Sequence, residues 1–161
     1  MANPSPAEID LLARLIAEAT EWAAGGRGGP FAAAVLYGGE IVGRGRNEVV
    51  ASGDPTAHAE MLAIRQAAAC RGTHDLSGAS LVTTCEPCPM CLGAAFWARV
   101  DRIVYGATRH AAASSGFDDE ALYREVTAPV HRRALPLLRA LPERALDPFH
   151  AWDANPERRP Y

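Results

Sequence analysis

The chain has 161 residues, 48% of them hydrophobic, with a formal net charge of −3. That length fits one domain with a real core. Its basic residues are all arginine, and they cluster only in pairs such as Arg132-Arg133 and Arg158-Arg159. No dense basic track is present for a polyanion such as tRNA, so a small, nearly neutral ligand fits better. No apolar run approaches a membrane span, and the N-terminus lacks the basic-then-apolar pattern of a signal peptide. The expectation is a cytoplasmic protein with neither membrane nor nucleic acid as partner.

The elements follow in order. Ser5-Pro6-Ala7-Glu8 opens a helix, with serine as N-cap, proline in the first turn and glutamate at the capping-box position. Ile9, Leu12, Ile16, Ala19 and Ala23 recur at helical spacing, and Gly25-Gly26 ends the run. Phe31 to Tyr37 reads as a buried strand, Gly38-Gly39 as a hairpin turn and Glu40 to Arg46 as its partner. Asn47 to Pro55 is rich in turn formers and reads as a loop. Thr56 is placed to cap a second helix reaching about Arg71. Leu81 to Thr84 reads as a third strand, Pro87 to about Ala98 as a third helix, and Arg102 to Ala107 as a fourth strand. A Ser/Gly loop leads to a short helix from Asp118 to Val126. Six prolines break the C-terminal third, leaving room for a strand around Leu137 to Leu141 and a helical turn around Phe149 to Ala154. Strands alternating with helices indicate a layered α/β domain, and the opening hairpin makes its sheet mixed.

The chemistry concentrates in two segments, His58-Ala59-Glu60 and Pro87-Cys88-Pro89-Met90-Cys91. In a chain without a secretion signal, Cys85, Cys88 and Cys91 at three-residue spacing read as a metal site before a disulfide framework. Cys88 and Cys91, three apart at a helix start, share one face of its first turn and can grip one ion. The positive end of the helix dipole favours their thiolates. His58 supplies a third zinc ligand, and three protein ligands leave a fourth position for a water or hydroxide. Glu60 stands two residues from His58, placed to move that water's protons. Each residue also has a plainer role. His58 alone could cap a helix, Glu60 could be a solvent-facing acid, and the cysteines could form a structural zinc knuckle. A knuckle needs a fourth ligand, from Cys85 or His110.

The chain resembles the cytidine deaminase-like superfamily, and within it the small bacterial guanine deaminases. The likeness rests on residues 54–60, Asp-Pro-Thr-Ala-His-Ala-Glu, on residues 84–94, Thr-Cys-Glu-Pro-Cys-Pro-Met-Cys-Leu-Gly-Ala, and on Gly116-Phe117-Asp118-Asp119. Phe96-Trp97-Ala98-Arg99, Pro148-Phe149, Ala151-Trp152 and the terminal Tyr161 are similar to guanine deaminase in particular. The resemblance implies a three-layer α/β/α fold with a mixed central sheet, and one domain over residues 1–161 whose segment from about 129 to 161 exchanges between subunits of a homodimer. It implies one zinc ion held by His58, Cys88 and Cys91, with Glu60 as proton shuttle. It places Asn47, Asp119, Phe31, Trp97 and Tyr161 against a purine base. The implied reaction is hydrolysis of guanine to xanthine and ammonia. Other readings are a related deaminase for guanosine, cytosine or an aminated triazine, a tRNA-adenosine deaminase, and a non-catalytic zinc module.

Overall fold

The computed structural model describes residues 3–117 and 119–160. Helix α1 spans Pro6–Ala24 with the expected Ser5 capping box. Its buried face is Glu8, Leu11, Leu15 and Ala19, while Ile9 and Ile16 face outward. The apolar stripe is therefore rotated from the spacing first read, because Leu11 and Leu15 lie closer to the sheet. Glu8 is itself buried and accepts from the Ser5 N–H at 2.7 Å and from Arg102 Nε at 2.8 Å. Burial pushes its carboxyl upward, but hydrogen bonds from the Ser5 backbone, Ser80, the Ser5 hydroxyl and Arg102 outweigh it and hold the group down to about 2.

The strands are β1 (Ala32–Tyr37), β2 (Glu40–Arg46), β3 (Ala79–Cys85) and β4 (Arg102–Ala107), in sheet order β2-β1-β3-β4. β1 pairs antiparallel with β2 and with β3, and β3 runs parallel to β4, so the sheet is mixed as expected. Both hairpin glycines carry positive φ, 58° at Gly38 and 88° at Gly39, which is what a tight two-residue turn demands. Strand alternation sends Ala32, Ala34, Val82 and Val104 to α1, and Ala33, Val35 and Leu81 to the opposite face. That second face is covered by α3 (Ala59–Arg71) and α4 (Pro89–Trp97), which completes three layers. No helix among the described residues is long and apolar enough to cross a membrane.

Helix α3 lies unusually close to β2. A Cβ on Gly43 would stand 2.2 Å from the Ala63 carbonyl oxygen, and one on Gly45 would stand 2.1 Å from that of Ala59. Ala59, Ala63 and Ala67 repeat every four residues along the same helix face and are fully buried. Small residues on both sides let backbone meet backbone, which fixes the depth of the turn that carries His58 and Glu60.

Four local expectations change. Helix α3 begins at Ala59 with His58 as N-cap, not with Thr56, whose amide and hydroxyl both bond to Asp54 Oδ1 at 2.7 Å in a turn. The loop after β2 contains a one-turn helix, α2 (Val49–Ser52). The third helix starts at Pro89, two residues later than expected. The Ser/Gly loop contains α5 (Arg109–Ser114), capped by Thr108, ahead of α6 (Asp119–Thr127).

The chain divides into two compact units, Met1–Val126 and Thr127–Tyr161. The second holds α7 (Asp147–Ala154) as expected, but residues 137–141 are irregular and not a strand. A strand needs a neighbour for its backbone groups, and this unit has no other strand among its described residues. No described residue of 127–160 is buried.

Gly45→Ala tests the seating of α3. The added methyl drives into helix backbone, so the expected loss is about 1–3 kcal/mol of stability, with weaker zinc retention because His58 moves. Chemical denaturation and zinc content measure both effects.

Candidate active site

The site forms where the starts of α3 and α4 meet. His58 is the N-cap of α3 and Cys88 the N-cap of α4, both with extended backbone, at ψ 153° and 166°. An N-cap side chain ordinarily bonds back to its own helix, yet neither of these does. Both are free to point across the gap. His58 turns Nδ1 toward both sulfurs, at 3.7 Å from Cys88 Sγ and 3.6 Å from Cys91 Sγ. A tetrahedral zinc with its usual bond lengths to nitrogen and thiolate sulfur separates those ligand atoms by about 3.6 Å. The three donors, all within 4.8 Å of one another, therefore fit the ion without rearrangement.

No other described residue joins the group. Cys85 is buried and directs its thiol to the Thr108 carbonyl at 3.7 Å, with burial raising its pKa to about 11. His110 pairs with Glu120 at 2.6 Å. Both candidates for a fourth protein ligand are thus engaged elsewhere, so a zinc ion held by His58, Cys88 and Cys91 would keep the open position that distinguishes a catalytic site from a structural one.

The electrostatics suit a cation. A hydrogen bond from Cys91, with a further one from His58, holds the Cys88 thiol down to about 4 against the effect of burial. Cys91 is pushed up because it donates to Cys88 and is buried beside Glu60. The Cys88 hydrogen bond raises His58, and the charges of Cys88, Glu60 and Asp119 add to it. Without metal the cluster holds protons between groups that zinc would take as ligands.

Glu60 is the second residue of α3, in its first turn, and is only 5% exposed. Its Oε1 accepts from the Thr83 hydroxyl at 2.7 Å, and its Oε2 lies 3.5 Å from Cys91 Sγ. Burial raises its carboxyl above the ordinary value, more than the Thr83 hydrogen bond lowers it. A raised carboxyl is suited to taking and returning protons near neutral pH.

A cavity of about 590 Å³ opens onto this cluster and is lined by Phe31, Asn47, His58, Glu60, Cys88 and Asp119 among others. A somewhat larger hollow of about 700 Å³ runs along β4, but it holds no metal-ligand cluster. Chemistry, not size, selects the first. Phe117 packs edge-on against Phe31 with ring centroids 4.8 Å apart, a wall that the sequence reading did not assign. Tyr123 of α6 donates its hydroxyl to the Pro87 carbonyl at 2.7 Å and carries the Arg109 guanidinium over its ring, tying the helix of Asp119 to the loop before Cys88.

One expected contact does not line this cavity within its own chain. Trp97 stands at the end of α4, 63% exposed, beside Phe96 and away from the cavity lining. Tyr161 lies outside the described residues. Thr83 was missed because a threonine in a β-strand reads as an ordinary strand former; only the fold reveals what its hydroxyl touches.

Three relatives frame this geometry. The chain is 42% identical to the guanine deaminase of Bacillus subtilis over 93% of its own length and 96% of that protein's. The solved structure of that enzyme superposes with a TM-score of 0.88. A guanine deaminase from Nitrosomonas europaea superposes at 0.65 with 35% identity, covering 74% of this chain and 68% of that one. A tRNA-specific adenosine deaminase of Bacillus subtilis is 45% identical, but over only 48% of each chain. Residues 7–107, from α1 through β4 and including every zinc donor, match the cytidine and deoxycytidylate deaminase zinc-binding region. A donor set open on one side, a buried carboxylate beside it and this match place the chain in the zinc-dependent cytidine and deoxycytidylate deaminase family.

Proposed function

We propose that the protein hydrolyses guanine to xanthine and ammonia. One observation carries the reading: a single cavity is lined by two of the three zinc donors, His58 and Cys88, by the buried carboxylate of Glu60 and by a second carboxylate, Asp119. The near full-length similarity to a guanine deaminase supports the choice of base.

When bound, zinc supplies Lewis-acid activation of water near neutral pH. Glu60 takes a proton from the water that attacks guanine C2 and passes it to the adjacent ring nitrogen; it then takes the second proton from the hydroxyl added at C2 and gives it to the amine, which leaves as ammonia as the C2 carbonyl forms. Asp119 accepts from the ring and amino N–H groups of guanine, a pattern that adenine and hypoxanthine do not present. A buried acceptor left unpaired costs about 1–3 kcal/mol, enough for roughly ten- to hundredfold discrimination. Phe31 stacks on the base, and Asn47 bonds to its edge. The chain's negative charge and the half-length match make tRNA the weaker substrate.

The protein acts as a homodimer that exchanges the segment from about 129 to 161. Two features support this. The 127–160 stretch exposes Leu138 (92%), Leu135 (72%) and Phe149 (66%) with no buried residue of its own. In Met1–Val126, Phe96 and Trp97 at the end of α4 are 79% and 63% exposed. Apolar surface on this scale calls for a covering partner, and a second copy would also bring Trp97 to a base-binding cavity it does not line in its own subunit.

Glu60→Gln is expected to keep a full complement of zinc and lose turnover by about a thousandfold or more, whereas Cys88→Ala loses metal and activity together. Metal analysis alongside ammonia release separates the two, and full activity in Glu60→Gln removes the proton-shuttle role.

Ammonia release from guanine, guanosine, cytosine, cytidine, adenine and ammeline tests the substrate. Guanine should lead, and Asp119→Ala should lower kcat/KM for guanine by about ten- to a hundredfold with little change in melting temperature. Unchanged guanine kinetics in that variant would remove the recognition role of Asp119.

Light scattering should give twice the chain mass, and Trp97→Ala should impair guanine turnover while leaving the zinc content intact. A fully active monomer overturns the exchanged dimer.

A further inference from the structure

We infer that Thr83 is a positioning residue for the reaction: its hydroxyl fixes Glu60 so that one carboxylate oxygen, Oε2, is left for proton transfer. The inference rests on the reading of Glu60 as the proton carrier. Thr83 is fully buried in β3, between Ala33 of β1 and Tyr105 of β4 in the sheet register. Its hydroxyl has one proton, and that proton goes to Glu60 Oε1 at 2.7 Å. The neighbouring threonine is used differently. Thr84 Oγ1 accepts the Ala32 amide at 3.1 Å and serves the sheet alone.

The other side-chain contact to Glu60 is Cys91 Sγ, 3.5 Å from Oε2. As a zinc ligand Cys91 is a thiolate with no proton to give. Once the metal is held, the Thr83 hydroxyl remains as a side-chain donor to orient the carboxylate, beside the backbone N–H of Glu60 itself. A carboxylate on a flexible glutamate stem rotates freely unless one oxygen is tied, and a misdirected general base loses rate out of proportion to its displacement. Shape alone does not call for a hydroxyl here. Valine has nearly the same volume as threonine and suits a strand, so the oxygen is the chemically distinctive part of this side chain.

Thr83→Val and Thr83→Ser test this in the zinc-loaded protein, with Glu60→Gln and the Glu60→Gln/Thr83→Val double variant as references. Thr83→Val is expected to keep full zinc content and to lower kcat for guanine about ten- to a hundredfold, with KM changed less than about threefold. Thr83→Ser, which restores the hydroxyl, should recover most of the rate. The double variant should be no slower than Glu60→Gln alone. A crystal structure of zinc-loaded Thr83→Val should show the Glu60 carboxylate turned from its native orientation. Wild-type kcat in Thr83→Val, or a zinc-replete Thr83→Ser as slow as Thr83→Val, overturns the positioning role. Failure of the underlying reading is separately visible, because Glu60→Gln would then retain turnover by itself.

Discussion

The site depends on one constraint: two helix N-termini must meet closely enough for side chains from both to share one ion. Helix α3 offers His58 and α4 offers Cys88, each as an N-cap whose side chain leaves its own helix uncapped. Orphan N–H groups at two helix starts, with aligned dipoles, create a positive environment that favours thiolate and carboxylate. The sheet sets the distance between the helices. Gly43 and Gly45 let α3 sink onto β2 until backbone touches backbone, and β3, on the other side of β1, leads at its end into Cys88. A methyl group at either glycine would lift the helix and, with it, one of three ligands.

Within that frame the two carboxylates are treated differently by their surroundings. Glu60 is enclosed, held by Thr83 and raised by burial, which suits a group that takes up and releases protons. Asp119 sits at the start of α6, where the helix dipole favours its charged, accepting form. Separate environments suit one cavity to the proposed pairing of a proton carrier with a fixed acceptor. The Tyr123 hydrogen bond to the Pro87 carbonyl links the helix of Asp119 to the loop before Cys88.

The second unit follows a different logic. Thr127–Tyr161 is rich in leucine and proline and buries none of its described residues. The strand expected at Leu137 to Leu141 did not form, because a leucine-rich stretch makes a strand only where a neighbouring strand supplies hydrogen-bond partners. Ile9 and Ile16 tell a similar story on α1: helical spacing identified an apolar helix, but only packing decided that Leu11 and Leu15 form its inner face.

Much of this protein was legible in its residues. Spacing alone marked the Ser5 capping box, the Gly38-Gly39 hairpin, β4, and a metal site at Cys88 and Cys91, because these signals are local and each is carried within a few residues. The two motif segments marked His58 as a third donor and Glu60 as the proton carrier, and the family likeness implied the acceptor role proposed for Asp119. Tertiary structure decided the rest. It showed that Cys85 and His110 are engaged elsewhere and leave the metal an open position, that His58 presents Nδ1, that Phe117 walls the cavity, and that Trp97 does not line it within its own chain. It also joined Thr83 to Glu60 across 23 positions of sequence. Donor types and spacings are properties of short segments, whereas distances between segments exist only once the sheet has brought the helices together.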